Sequence, residues 1–197
     1  ASDVYKRQGY KFNEHISIQA GHFKEPMSME RLTSSRYLTA NERPMPVEMF
    51  AGGRRLGAAV TAWGNHWWLS GGVFGQQVDI LQKEKNRGSD GYGFTGRVGL
   101  SPVDNNEWTV HLGGYASYRT PDALGAEDRL VEFRTFPESR TDHRRFVRAE
   151  IPNVSHYATY GLEAAVRWNK LLAYGEYTFT NLSRYRLEDG PVSYTHL

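Results

Sequence analysis

Gly21–Tyr37, GHFKEPMSMERLTSSRY, is the stretch that decides the fold of this chain. A run of alternating residues typical of a β-strand enters it and stops at Pro26, because proline cannot donate to a strand ladder. A basic segment rich in Ser and Thr follows, and Ser28 is a residue type that caps helices. The stretch therefore predicts a strand that ends at a polar connection containing at most a turn or two of helix.

Alternation with a period of two residues recurs along the rest of the chain, separated by polar or Gly- and Pro-containing breaks. The clearest run begins at Trp108 and places apolar side chains on one face and polar side chains on the other. An aromatic residue stands at each end of its apolar row, and its length of about eleven residues suits a strand that crosses a bilayer at a tilt. Short turns such as Asn169-Lys170 alternate with long connections, which is the pattern of outer-membrane barrels.

Composition is compatible with such a barrel. The hydrophobic fraction is 39% and the mean hydropathy is −0.62, but each barrel strand needs only one apolar face. The chain has no apolar run of about 18 residues, which excludes a transmembrane helix. It contains no Cys, which excludes disulfides, Cys-based zinc sites and thiol catalysis. We predict an all-β fold, a transmembrane antiparallel β-barrel of which this chain supplies roughly nine or ten strands.

The two ends of the chain fit no strand pattern. Residues 1–8 and 191–197 look like translated adapter or assembly scars, and we expect residues 9–190 to be the partial barrel. The chain is then an internal piece of a longer protein, which would account for the absence of a signal peptide from it.

Arginine is the notable charged residue, although the net charge is only +2. A cation that faces lipid at mid-depth costs about 2–4 kcal/mol, so an Arg on the polar face of a strand must face the barrel interior or lie near an interface. Rings of Arg and Lys in a pore select anions. The alternative is ordinary interior polarity, with each Arg balanced by a nearby Glu. The Arg residues on predicted polar faces are Arg97, Arg119, Arg134 and Arg167.

The chain contains no convincing catalytic motif. Gly91–Gly96 matches G-x-G-x-x-G, but it follows a charged loop and runs into a strand, whereas a dinucleotide-binding turn must open a helix. The histidines are scattered, and no Ser/His/Asp spacing suggests a nucleophile. We therefore predict no enzyme activity, no metal site and no cofactor.

The opening stretch closely resembles a family signature. Phe23-Lys24-Glu25-Pro26, Met29–Ser35 and Glu42-Arg43 resemble the F-K-x-P-x-S-x-E-x-L-T-S-S…E-R signature of the phosphate-selective porin O/P family. Phe133–Ser139 resembles the R-x-R-P-E segment of that family, and Tyr160–Glu163 with Gly175–Tyr177 resembles its Y-G-x-E…G-E-Y pair. The resemblance covers most of residues 10–186.

The resemblance implies a channel of the bacterial outer membrane that passes phosphate, polyphosphate or other small anions by diffusion. Family members are homotrimers of barrels with about sixteen strands, embedded in the lipid bilayer and narrowed by a loop folded inward. No nucleic acid partner is expected. Phe136 stands where the family commonly has Arg, so strict phosphate selectivity stays open. The candidate anion-binding or pore-lining residues are Lys24, Arg97, Arg119, Arg134, Arg140, Arg144 and Arg145.

Two other functions fit parts of the sequence. A general diffusion porin with weak selectivity would have the same strands without convergent Arg side chains. A soluble all-β binding domain, such as a sandwich, would need the aromatic row to be buried against a second sheet.

Overall fold

The computed structural model describes residues 7–40, 42–75, 91–121, 129–135 and 147–185, and the backbone of 193–195. Within these ranges it contains eleven strands and three short helical segments. The strands are β1 (Arg7–Lys11), β2 (Ile16–Lys24), β3 (Arg54–Trp63), β4 (Trp67–Phe74), β5 (Tyr92–Asp104), β6 (Trp108–Thr120), β7 (Val131–Thr135), β8 (Val147–Ile151), β9 (Val154–Trp168), β10 (Leu171–Arg184) and β11 (Ser193–Thr195). The helical segments are α1 (Met29–Leu32), a 3₁₀ turn (Ser35–Tyr37) and α2 (Met45–Phe50).

Nine of the strands form one antiparallel sheet, in the order β1-β2-β3-β4-β5-β6-β9-β10-β11. This confirms the prediction of an all-β, antiparallel fold. The other two strands, β7 and β8, form a separate hairpin, so β6 pairs directly with β9. Arg134 was predicted to lie on the polar face of a barrel strand, but it lies in this hairpin, outside the large sheet.

Connection lengths alternate along the sheet, as the sequence indicates. Short turns join β1 to β2, β3 to β4, β5 to β6 and β9 to β10, whereas long connections join β2 to β3, β4 to β5 and β6 to β9. The tightest turn is Asn169-Lys170, where Asn169 has a φ of 50°. Asn tolerates this left-handed conformation, which suits a two-residue hairpin turn. All short turns therefore lie at one end of the strands, which we call the short-turn end.

The two faces of the sheet have the opposite character to those of a soluble protein. Large apolar side chains are exposed on one face, among them Leu56 at 57% and Leu162 at 70%. Charged side chains are buried on the other face, including Arg97 at 6% and Arg119 at 2%. Water penalises the first arrangement and a lipid solvent favours it. A soluble sandwich is not supported, because no second sheet covers the exposed row within the described ranges.

Aromatic side chains mark both ends of the exposed face. Trp108 stacks on Trp168 at the short-turn end, with ring centroids 5.6 Å apart, and Tyr118 stacks on His156 at the other end. Trp108 and Tyr118 are ten positions apart on a tilted strand. This separation corresponds to a height of about 25 Å, close to that of a membrane-facing band. In the described part of the chain, no helix is both long and apolar enough to cross a membrane.

Residues 25–53, which we call the inserted segment, connect β2 to β3 across the polar face of the sheet. Met27 and Val47 are buried within the segment. The ring of Phe50 in α2 lies 5.4 Å from that of Phe133 in the β7–β8 hairpin. The hairpin in turn packs on a cluster that includes Val154 of β9. The inserted segment is thereby held between the sheet and the hairpin.

Candidate functional site

Glu163 of β9 is the most heavily bonded carboxylate on the polar face. Arg97 Nε of β5 donates to Glu163 Oε1 at 3.0 Å, and His111 Nε2 of β6 lies 3.0 Å from the same oxygen. The backbone N–H of Met29 in the inserted segment donates to Glu163 Oε2 at 2.9 Å. The Glu163 side chain has no exposed surface. This carboxylate therefore links two wall strands and the inserted segment.

Glycines make room for these large side chains. Gly113 of β6 pairs directly with Glu163, and a Cβ at Gly113 would collide with the Glu163 carboxylate. Gly99 of β5 likewise leaves space for the Trp68 indole, over which the Arg97 guanidinium lies at 4.6 Å. The alternation of Gly with large residues across neighbouring strands lets the charged side chains lie flat against the wall.

Glu176 of β10 pairs with Glu163 across the sheet and holds the same part of the inserted segment. Ser28 Oγ donates to Glu176 Oε2 at 3.0 Å, and the Glu30 N–H donates to it at 3.3 Å. Tyr115 Oη donates to Glu176 Oε1 at 2.7 Å. The N–H groups of the first helical turn have no partners inside a helix, and these two wall carboxylates accept from them.

Glu25, at the start of the inserted segment, accepts from the wall instead of donating to it. Arg119 Nη2 of β6 donates to Glu25 Oε1, and Arg55 Nε of β3 lies 3.3 Å from that oxygen. Each of these three side chains is at most 6% exposed. Arg119 Nη1 has no hydrogen-bond partner within the part of the chain that is described. Opposite charges on the wall and the segment therefore dock the two surfaces.

Glu30 is the least satisfied acid of the inserted segment. It is 5% exposed, and its Oε1 has no hydrogen-bond partner among the described residues. Burial raises the pKa of Glu30, the nearby Arg43 opposes that rise, and Glu176 adds to it. The carboxyl group is thus held in a site that disfavours its charge.

The predicted site residues fall in different places. Arg97 and Arg119 lie on the polar face, each in an ion pair with a Glu. Lys24 ends β2, and its Nζ donates to the Arg31 carbonyl oxygen at 2.7 Å. Arg134 lies 3.3 Å from Glu132 in the hairpin. The anion-binding roles of all seven residues remain predictions, and Arg140, Arg144 and Arg145 lie outside the described residues.

Two residues of the site were missed from the sequence. Arg55 shares its face of β3 with Gly57, Ala59 and Thr61, so strand parity alone could have placed it on the polar face. Glu25 gives no such signal, because it follows the strand and its position depends on how the inserted segment docks.

The described polar face carries charges of both signs. Arg55, Arg97 and Arg119 are offset by Glu25, Glu163 and Glu176. Among the residues that the structure describes, no three acidic or His side chains are placed to hold a metal ion together. Fixed charges on this face, opposite the inserted segment, can bind and guide ions.

Comparison with known proteins agrees with this arrangement. The sequence model of the family described as Phosphate-selective porin O and P matches residues 5–194. An uncharacterized protein of Caulobacter vibrioides is 27% identical over 160 residues, which cover 77% of this chain and 32% of that protein. The chain thus spans about a third of the length of that relative. Since the family match covers nearly the whole sequence, the chain belongs to the phosphate-selective porin O and P family, a family of outer-membrane porins.

Proposed function

We propose that this chain forms part of an outer-membrane channel that conducts anions by passive diffusion and prefers phosphate or polyphosphate. The observation that carries the proposal is the row of buried guanidinium groups on the polar face, from Arg55 of β3, Arg97 of β5 and Arg119 of β6. Guanidinium groups match phosphate oxygens in a bidentate geometry. The partners are then small anions and the lipid bilayer, and we expect the complete protein to assemble as a homotrimer.

The carboxylates contribute by fixing these cations in place. Glu163 holds Arg97 and Glu25 holds Arg119, so little side-chain entropy remains to be lost when an anion arrives. The partnerless Nη1 of Arg119, judged among described residues, supplies a donor for such an anion. Each site is weak because its charge is partly neutralised, and weak successive sites let an ion leave as well as enter.

The inserted segment supplies the constriction in this proposal. It crosses the polar face and is docked through Glu25, Ser28 and Met29. A narrow, low-dielectric path strengthens the field of the fixed charges and raises the local concentration of counter-ions. Nothing is chemically converted.

A general diffusion porin with weak selectivity is the second candidate. The ion pairs of Arg97 and Arg119 favour it, because each pair lowers the net positive charge of the described wall. Such a channel would conduct chloride without being blocked by phosphate.

The test needs the complete gene that encodes this chain, expressed in outer membranes and reconstituted in planar bilayers. We expect phosphate to block the chloride current saturably, and Arg119→Lys to weaken the block, since the ammonium lacks the bidentate fork. Arg148→Lys, in the exposed part of the hairpin, is the matched control and should leave the block unchanged. An ohmic current that phosphate does not block would establish general diffusion, and absence of any current would contradict both candidates.

A further inference from the structure

Two arginines of the wall meet at one carboxylate oxygen of the inserted segment. Arg119 of β6 and Arg55 of β3 belong to strands that β4 and β5 separate in the sheet. Arg119 Nη2 donates to Glu25 Oε1, and Arg55 Nε lies 3.3 Å from the same oxygen. All three side chains are buried. Glu25 therefore occupies a position between two guanidinium groups that come from non-adjacent strands.

The wall itself shapes the place in which the Arg119 guanidinium lies. Gly93 of β5 pairs directly with Arg119, and a Cβ at Gly93 would lie 3.1 Å from Arg119 Cζ and 3.3 Å from Nη1. Phe74 of β4 pairs with Gly93, is buried, and packs edge-on against the ring of Phe23. The guanidinium thus lies over a glycine and beside buried rings, and we expect it to keep its place when Glu25 leaves.

Arg119 has hydrogen-bonding capacity that Glu25 leaves unused. A guanidinium group carries five N–H donors in a planar fork. Arg119 Nη1 is buried and has no hydrogen-bond partner among the described residues. Phosphate carries about two negative charges and more acceptor oxygens than a carboxylate, so it can accept from both Nη atoms. The Glu25 carboxylate therefore balances charge at this guanidinium without satisfying all of its donors.

We propose that Glu25 is a tethered competitor of phosphate, which binds the Arg119 guanidinium only when it displaces the Glu25 carboxylate. Both groups are anions that a guanidinium binds, and the burial of Arg119 and Glu25 leaves no space for a second anion. The inference rests on the phosphate-preferring channel proposed above and adds a device that limits its affinity. Displacement costs free energy, so bound phosphate is held weakly and can leave, as conduction requires. Because Glu25 begins the inserted segment, the same step detaches the start of that segment from β6.

The experiment uses the complete protein in planar bilayers and measures the concentration of inorganic phosphate that halves the chloride current. Glu25→Gln removes the competing charge, and we expect it to lower that concentration roughly ten-fold, as loss of one charge-assisted hydrogen bond would do. Glu25→Asp keeps the charge but withdraws the carboxylate by one methylene group, so it should lower the concentration by less. In the double variant Glu25→Gln/Arg119→Lys, most of the gain should disappear, because the two residues act on one site.

The matched control removes an equal charge from the same inserted segment. Glu48 of α2 lies 2.9 Å from Arg31 and does not contact Arg119. Glu48→Gln should leave the blocking concentration unchanged.

A stability measurement tests the proposal even where Glu25→Gln inserts poorly into bilayers. That substitution leaves the Arg119 guanidinium buried without a counter-charge, which lowers the free energy of unfolding. Inorganic phosphate should take the place of the lost carboxylate. We therefore expect added phosphate to raise the midpoint of urea unfolding in micelles more in Glu25→Gln than in the wild type.

Three results would overturn this inference while leaving the proposed channel function intact. Phosphate block that is unchanged or weaker in both Glu25 variants would mean that Glu25 only docks the inserted segment. An equal gain in Glu48→Gln would indicate general electrostatic attraction. Equal effects of phosphate on the unfolding midpoints of Glu25→Gln and the wild type would mean that phosphate does not replace the carboxylate. Absence of block in the wild type and in Glu25→Gln alike would instead overturn the proposed preference for phosphate, and this inference with it.

Discussion

At the scale of single residues, the buried ion pair of Glu163 and Arg97 is expected to contribute most to the stability of the described wall. Glu163→Gln keeps the size of the side chain but leaves the Arg97 guanidinium, 5% exposed, without a counter-charge. Breaking a buried pair in this way costs about 3–5 kcal/mol. We expect a fall of that order in the free energy of unfolding, measured by urea titration in micelles.

The matched control for this prediction is an exposed pair. Arg148, whose side chain is 51% exposed, contacts Glu132 and Glu150 in the β7–β8 hairpin. Arg148→Gln should not change the unfolding midpoint measurably, because solvent screens such pairs. Equal effects of the two substitutions would contradict the description of Glu163 as a buried anchor.

The raised pKa of Glu30 should make the stability of the protein depend on pH with the opposite sign to that of a paired carboxylate. Because its pKa is raised in the folded state, that state binds the proton more tightly, and stability rises as pH falls from above the raised pKa towards the ordinary value of 4.5. Glu30→Gln should therefore stabilise the protein at pH 7 and remove this contribution to the pH slope. Unfolding midpoints across pH 4 to 7 measure it. Glu107→Gln, in an exposed turn, is the control, and an unchanged slope in Glu30→Gln would refute the assignment.

At the scale of elements, Gly113 of β6 leaves the space that the buried Glu163 carboxylate of β9 occupies. A Cβ at Gly113 would displace the Glu163 carboxylate, whereas a Cβ at Gly175 of β10 would meet nothing within 4 Å. We expect Gly113→Ala to lower the free energy of unfolding by about 1–3 kcal/mol, as overpacking does. Gly175→Ala should be neutral or slightly stabilising. Urea unfolding of both variants measures these differences. An unchanged stability of Gly113→Ala would contradict the prediction, because it would show that the Glu163 carboxylate can move aside.

The sequence identifies the strands more readily than their partners. Alternation locates the long strands and their faces, since each apolar row has a period of two. Ser28 is the N-cap of α1, as expected for its residue type. The helix α2 was not predicted, because its proline residues suggested a connection, although Pro in a first turn is favourable. The separate β7–β8 hairpin was missed because alternation does not determine which strands pair.

At the scale of the whole molecule, the sequence defines the polar face but not what lies on it. The alternation of side chains along the strands placed Arg97 and Arg119 correctly on the polar face. Their neutralising partners depend on an inserted segment that docks Glu25 against β6 and Met29 against β9, more than 90 residues along the chain in each case. Local pattern contains no information about such contacts.

Spin labels on β6 can test directly whether the exposed apolar face contacts lipid and the charged face borders water. The chain has no Cys, so single cysteines can be introduced and spin-labelled at Thr109, Val110, His111 and Leu112 of β6 in the complete protein. In lipid vesicles, we expect labels at 110 and 112 to collide with oxygen, which concentrates in hydrocarbon. Labels at 109 and 111 should collide with a water-soluble nickel chelate. Accessibility without a period of two, or with the two sets reversed, would contradict this assignment of the two faces.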